Sequence, residues 1–573
     1  MRVRGPGLDV AEVPLEGPGT VVLGPVEVTI GERPGGWTWS VANRGDEAVR
    51  IDAVAVVEDA GAAGPEPRLF RNGYQSWSPT GVVRLGIDED PSRAERSSPL
   101  SRQMHHADHE IAEPGELRSE LVTVLDRGEG PVLCAGFASG ASHDGTFRVR
   151  LDGDRVALTT EAFLGGARLD PGTRRPLHDV VRADGERTDA PELLAAWAGG
   201  VGAGGGARTK GPYTVGWCSW YQYFSGVTED DVRSNLARSA DWPFDVFQVD
   251  DGFEPSIGDW LSCNDRFPSD LATIAADIAR AGRVPGIWLA PFLAAPTSEV
   301  ATSHPGWMVQ HESGRPLVGN TNPDWGAHVG VLDTTDPDVL AHLEATAAAL
   351  VEMGYPYLKL DFTYGPSLPG RFADPTRTPA ERVRAGLEAI RRGAGEEAFL
   401  VGCGMPLGAG VGLVDAMRIG PDVAPWWRRG EDDGLVPGYD QSQPATRNAW
   451  RSSLARSFMH RRLWLNDPDC LLLRTTQTRL SPAAVEAWAR AVGMTGGLAV
   501  VSDDLALLGD DDRRLLEEVT ALGRAVDRAS LTGPPPRCDD VMAEALPGRL
   551  SAAGAQLVAA PGTDDVSARV DRT

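Results

Sequence analysis

Two residues apart, a lysine and an aspartate close the apolar run Tyr355-Pro-Tyr-Leu-Lys-Leu-Asp361. Alternate residues of a strand point to the same face, so both charges would project together from the end of a buried strand. Lys359 is one of two lysines among 55 cationic residues, the other being Lys210 in a Gly-rich stretch. Where Arg serves nearly everywhere else, a lysine offers what Arg does not, a compact and mobile charge. Two readings fit this segment taken alone: a structural ion pair under a loop, or an ammonium that keeps a reactive carboxylate ionised.

Other short apolar runs also lead into acids. Val246–Val249 runs into Asp250-Asp251, Val329–Leu332 into Asp333, and Ala416–Ile419 carries Arg418 and leads to Asp422. Trp217, Trp220 and Trp288 stand in or beside such runs. An acidic, Trp-walled site with no His pair and no Gly-rich phosphate loop suits a neutral, hydroxyl-rich ligand, because a phosphate would want Arg, Lys and helix N-termini. Two carboxylates on opposite walls of a sugar site are the equipment for breaking a glycosidic bond: one attacks or activates water, the other protonates the leaving oxygen. Asp361 beside Lys359 is the better nucleophile, since a cation keeps it ionised. Asp422 follows Pro421 and is flanked by Trp426 and Trp427, apolar neighbours that would raise its pKa, so it is the better acid–base. Aspartates are common in loops, and the spacing by itself also admits a plain loop residue at 422.

The rhythm of the chain says what must position these groups. With 573 residues, 42% hydrophobic and 24% charged, the chain is too long for one core and ordinary for a soluble protein. Residues 1–190 alternate in short segments such as Gly24–Ile30 and Thr146–Leu151 between Gly, Pro and Asp turns, which predicts a β-sandwich. Residues 191–212 contain a short helical stretch and then Gly199–Gly206, the signature of a linker. From 213 to 525, apolar runs alternate with Ala/Leu/Arg-rich helical stretches. Val215–Ser219, Val246–Val249, Val284–Leu289, Val329–Leu332, Tyr357–Leu360, Phe399–Gly402, Ala416–Ile419 and Leu498–Val501 supply eight candidate strands, and eight β/α units predict a (β/α)8 TIM barrel. Residues 526–573 return to short β-like pieces, a small C-terminal β domain. Active sites of such barrels lie where the strands end, which is where the acids and tryptophans cluster.

A net charge of −26 argues against nucleic acid or an anionic membrane as partner. The six cysteines show no CxxC or zinc spacing, the N-terminus has no apolar leader, and the longest apolar stretch, near Gly286–Ala295, is too short to span a bilayer. A cytoplasmic protein is the expectation.

The motifs GWCSWYQYF (216–224), FQVDDGFE (247–254), GIWLAPF (286–292), YLKLDF (357–362), VGCGMP (401–406), MRIGPDVAPWW (417–427) and WLNDPDC (464–470) together resemble the retaining α-galactosidases of glycoside hydrolase family 36. The Arg418-x-x-x-Asp422 spacing is also similar to the related family 27, and Tyr74-Gln-Ser-Trp77 resembles the sandwich loop that leans over that family's active site. The resemblance implies Asp361 as nucleophile and Asp422 as acid–base. It implies that Asp250, Asp251 and Lys359 grip galactose hydroxyls, that Trp220, Tyr221, Trp288, Cys403, Gly404 and Arg418 line the pocket, and that Trp77 closes it. It implies no cofactor and no metal, and a small oligosaccharide or glycoside of the melibiose or raffinose type as substrate. An α-N-acetylgalactosaminidase on the same fold, or a transglycosylating or sugar-binding relative, stands as the alternative.

Four features stand apart. Asn466-Asp-Pro-Asp469 reads as a turn before Cys470. His105, His106 and His109 fit no metal spacing and read as a solvated loop. Cys403 has no His in a matching motif and reads as pocket wall. Segment 427–445 is longer and more charged than the resemblance implies.

Overall fold

The structure, a computed structural model, describes residues 1–6, 8–12, 17–94, 98–429 and 441–572, with the backbone only at 8–12 and 327. The N-terminal part is a sandwich of two antiparallel sheets. One has six strands and includes the long pair Val49–Ala62 and Arg155–Leu169; the other has eight and runs in space from Gly19–Leu23 to Gly81–Arg84. The alternation that predicted it is visible in Val26–Arg33, where Val26, Val28 and Ile30 are buried and the residues between them are not. Their partners in the core include Trp39, Phe137, Phe147 and Leu158.

Eight parallel strands form the barrel. In chain order they are β1 (Thr214–Cys218), β2 (Val246–Val249), β3 (Val284–Leu289), β4 (Tyr357–Leu360), β5 (Phe399–Gly402), β6 (Ala416–Arg418), β7 (Leu465–Asp467) and β8 (Leu498–Val501). Each pairs with its neighbour through β7, β8 pairs back to β1, and Leu471 bridges to Val501 to close the ring. Covered on both faces, these strands are nearly continuous apolar runs. Helices between them start at side-chain caps: before Pro379–Ala394, Thr378 accepts from the Glu381 N–H and the Glu381 carboxylate accepts from the Thr378 N–H.

Two strand assignments change. The run at 329–332 belongs to Ala327–Val331, the middle strand of a three-stranded antiparallel sheet with Leu293–Ala294 and Val318–Asn322, inserted after β3. Its place in the barrel is taken by β7, from the segment read as a turn. Short apolar runs look alike in sequence whether their partner is parallel or antiparallel, so periodicity could not separate them. Asp333 therefore ends no barrel strand; its carboxylate accepts the Thr335 and Ala373 N–H groups at 2.9 and 2.7 Å.

The Gly-rich stretch read as linker is helical through Ala190–Gly205. Its glycines allow close approach: a Cβ on Gly202 would lie 1.8 Å from the Arg462 carbonyl oxygen. Trp197 on this helix donates to the Phe137 carbonyl at 2.9 Å and ties it to the sandwich. The helix Asp510–Thr532 crosses residue 525, and the four-stranded C-terminal sheet begins at Arg537. Leu550, Leu557 and Val566 of that sheet share the barrel's apolar core. Among the described residues no helix is long and apolar enough to cross a membrane.

Candidate active site

Strands β2, β3 and β4 bring one charged cluster together. Lys359 and Trp288 are paired in register across β3 and β4, so ammonium and indole stand side by side. Lys359 Nζ lies 3.0 Å from Asp250 Oδ2 and 3.7 Å from Asp361 Oδ2. Trp288 Nε1 donates to Asp361 Oδ2 at 3.0 Å, and the Phe362 N–H donates to Asp361 Oδ1 at 2.8 Å. Burial opposes the Lys359 charge, but Asp250 and then Asp361 outweigh it and hold the ammonium well above its usual range. The sequence paired Lys359 with Asp361; in space its nearer partner is Asp250.

Asp250 and Asp251 diverge as adjacent residues must. Asp250 turns inward, where Gln248 and Cys218 donate to it and Ser219 Oγ accepts its N–H at 2.9 Å. Asp251 accepts from Trp325 Nε1 at 2.9 Å and from the carboxyl of Glu254. Burial pushes Glu254 well above the usual carboxylate range, and the Asp251 charge adds to this, so Glu254 is a proton donor to its neighbour. Burial likewise lifts Asp251 to about 6, with the charges of Asp250 and Asp361 adding to the rise.

A second cluster is built on β6 and β7. Arg418 pairs in register with Asp467. Its guanidinium meets Asp469 at 2.8 Å, Asp422 at 3.1 Å and Asp467 at 3.3 Å. Asp469, the residue read as part of a turn, is fully buried; it accepts the Tyr221 hydroxyl and, at 2.7 Å, the Val423 N–H. Tyr221 thus stands one step behind the site. The Asp422 side chain keeps 34% of its surface open, yet the protein around it withholds enough water to push the carboxyl up to about 7. Burial is the first cause, and the Asp469 charge adds to it while Arg418 opposes it. Trp427 packs on Trp450 and donates to the Gly562 carbonyl, and Trp426 donates to the Pro444 carbonyl.

The sandwich reaches this end of the barrel through Tyr74–Trp77. Gln75 bridges to Pro406, the Ser76 N–H donates to the Met405 carbonyl at 3.2 Å, and Trp77 packs edge-on against Phe362 at 5.0 Å. Gly404 has φ of +51°, and a Cβ there would lie 2.7 Å from the Trp77 indole, so the missing side chain is the space that Trp77 occupies. Arg456, fully buried, donates to the carbonyls of Gly73, Gln75 and Ser76 and to that of Ile419 just after β6, which fastens the loop to the barrel. Cys403 is buried at the end of β5, and burial, with the Asp361 charge, raises its thiol well above the usual range. Trp220 is partly buried, edge-on to Phe224 at 5.2 Å. Trp217 belongs to the core instead, stacked on Phe247 at 4.2 Å.

Sequence reasoning missed Trp325, Glu254, Asp467 and Asp469. Trp325 ends the 3-10 turn Pro323–Trp325 that joins two strands of the inserted sheet, one of which the sequence had drawn into the barrel; the Asn322-Pro-Asp-Trp325 turn was the signal for it. His105 and His106 are buried rather than solvated, with His105 Nδ1 3.4 Å from Gln75 Nε2. Among the described residues, no three His, Cys, Asp or Glu side chains are grouped so as to hold a metal ion. Residues 430–440 of the charged segment lie outside the described residues.

The arrangement offers a carboxylate held by two N–H donors beside an ammonium, a second carboxyl raised to about 7, and several donors and acceptors for hydroxyl groups. A family model described as melibiase matches residues 215–368, which hold the first of these carboxylates and its lysine. The chain resembles the α-galactosidases. α-Galactosidase AgaA of Geobacillus stearothermophilus is 25% identical over 183 residues, a stretch that spans 30% of this chain and 24% of that relative's length. The structure of TtGalA, an α-galactosidase from Thermus thermophilus in complex with p-nitrophenyl α-D-galactopyranoside, is 29% identical with a TM-score of 0.67; the match covers 87% of this chain and 92% of that one. The family 36 α-galactosidase AgaA structure, at 14% identity and a TM-score of 0.62 over 93% of this chain and 73% of that one, shares the fold. The α-galactosidase resemblance therefore extends from the sandwich through the barrel.

Proposed function

We propose that this chain is a retaining exo-α-galactosidase that releases terminal α-galactosyl groups from small galactosides of the melibiose or raffinose type. The observation that carries the reading is the contrast between its two carboxyls. Two N–H donors and a nearby ammonium converge on Asp361, while burial pushes the Asp422 carboxyl up to about 7. In the first step Asp361 attacks the anomeric carbon, the bond to the leaving oxygen breaks, and the Asp422 proton goes to that oxygen. In the second, the Asp422 carboxylate takes a proton from water, the water oxygen attacks the same carbon, and Asp361 leaves as the carboxylate. Asp250, Asp251 and Lys359 supply acceptors and a donor for the galactose hydroxyls. The Trp77 indole packed at Gly404 makes a bulky wall, which favours a plain 2-hydroxyl over an N-acetyl group. That TtGalA was also solved with stachyose supports the choice of substrate class. Six cysteines, none paired, fit a reducing compartment.

Proton NMR during early hydrolysis tests the mechanism. Two inversions deliver α-galactose first, and β-galactose as the initial anomer would overturn the assignment of Asp361. Parallel assays on nitrophenyl α-galactoside, α-N-acetylgalactosaminide and α-glucoside test the sugar, with the galactoside expected to be the preferred substrate.

A further inference from the structure

Three carboxylates share one buried cation at the β6–β7 edge, and a single guanidinium cannot neutralise all three. The three differ in their other donors. Asp469 forms the shortest ion pair of the three with Arg418, 2.8 Å, and accepts the Tyr221 hydroxyl and the Val423 N–H. Asp467 receives Arg418 and the Asp469 N–H, at 3.0 Å. Among the described residues, the Asp422 side chain has Arg418 as its one hydrogen-bond donor. The groups that bear on Asp422 from the surrounding elements are Asp469 and Arg418, Asp361 and Lys359 from β4, Tyr221 from the segment after β1, and Cys403 from the end of β5.

We propose that Asp469 is a positioning residue for acid–base catalysis: with Asp467 it claims Arg418, and so leaves the proton on Asp422 in the resting site. The inference rests on the reading of Asp422 as the acid–base. Arg418 left to itself beside Asp422 would draw that carboxyl into its ionised form, and the site would have no acid to give. Asp469 answers the guanidinium from behind; burial raises its own carboxyl, and Arg418, the Tyr221 hydroxyl and the Val423 N–H oppose that rise. The rise of the Asp422 carboxyl to about 7, with Asp469 the first cause after burial, agrees with this division.

The test is kcat/KM against pH for wild type, Asp469→Asn, Asp467→Asn and Asp422→Asn. The substrates are melibiose, whose leaving sugar needs a proton, and p-nitrophenyl α-galactoside, whose nitrophenolate does not. In Asp469→Asn the descending limb on melibiose should move to lower pH by about one unit or more. It should move less far in Asp467→Asn, and nitrophenyl activity should suffer less in both. A uniform loss at every pH with the limb in place would mean that Asp469 is only structural and would overturn the proposal. Should Asp469→Asn not fold, Asp467→Asn and Tyr221→Phe carry the same test, each with a smaller downward shift expected. A limb that disappears in Asp422→Asn but stays put in these variants sinks this inference alone. A limb that survives in Asp422→Asn sinks the acid–base reading and this inference with it.

Discussion

The site holds two cation-centred clusters that look alike in composition and differ in wiring. Lys359 serves Asp250 and Asp361; Arg418 serves Asp422, Asp467 and Asp469. Around Lys359 the carboxylates are well supplied, since Asp361 adds an indole N–H and a backbone N–H to the ammonium. Around Arg418 there are more carboxylates than charge to answer them, and the best-supplied one is Asp469, not Asp422. A carboxyl rich in donors is suited to attack, and one short of donors is suited to hold and pass a proton. Residue type alone does not assign these roles. The two clusters differ in the number of N–H and O–H groups that reach each carboxylate.

The largest effect should come from breaking the Lys359 side. Asp361→Gly should lose turnover by several orders of magnitude while still binding galactose, and azide should restore part of it as β-galactosyl azide. Asp422→Gly should yield the α-azide instead. Product analysis by NMR checks both, and the same adduct from both variants would show the two roles to be misassigned.

A smaller loss is expected at the hydroxyl-binding end. Charge-assisted hydrogen bonds contribute about 1.5–3 kcal/mol each, so Asp250→Asn and Asp251→Asn should each cost at least roughly tenfold in kcat/KM on α-galactosides. If both variants instead melted earlier but kept rate and galactose preference, the aspartate pair would merely brace the loop.

Glu120 sharpens the comparison as a buried carboxyl with hardly any donors. Among the described residues its one hydrogen-bond donor is the Thr146 hydroxyl at 2.8 Å, and burial lifts it to about 8. Because its folded value lies above its unfolded one, its contribution to stability is complete below about pH 4 and is lost as pH rises toward 8. Glu120→Gln should therefore flatten part of the fall in Tm between about pH 5 and 8, with little effect on turnover. An unchanged Tm profile would mean that Glu120 does not hold a proton in the folded state.

Much of the molecule was legible in the chain. Alternation at 24–30 and nearly continuous apolar runs at 246–249 and 357–360 follow from one-sided and two-sided burial, so sandwich and barrel could be told apart before any contact was known. Strand ends put Asp250, Asp251, Lys359 and Asp361 at one end of the barrel, since residue order and a period of two dictate direction. Tertiary structure alone decided the rest. It placed 327–331 in an antiparallel insert and 465–467 in the barrel, because a short apolar run does not encode its partner's direction. It gave Lys359 to Asp250 more closely than to Asp361, and it brought Asp469 behind Arg418 and Trp77 over Gly404. The Lys359–Asp250, Arg418–Asp469 and Trp77–Gly404 pairings join residues dozens to hundreds of positions apart. The distance between them is set by how strands and loops pack, and no local pattern in the sequence carries it.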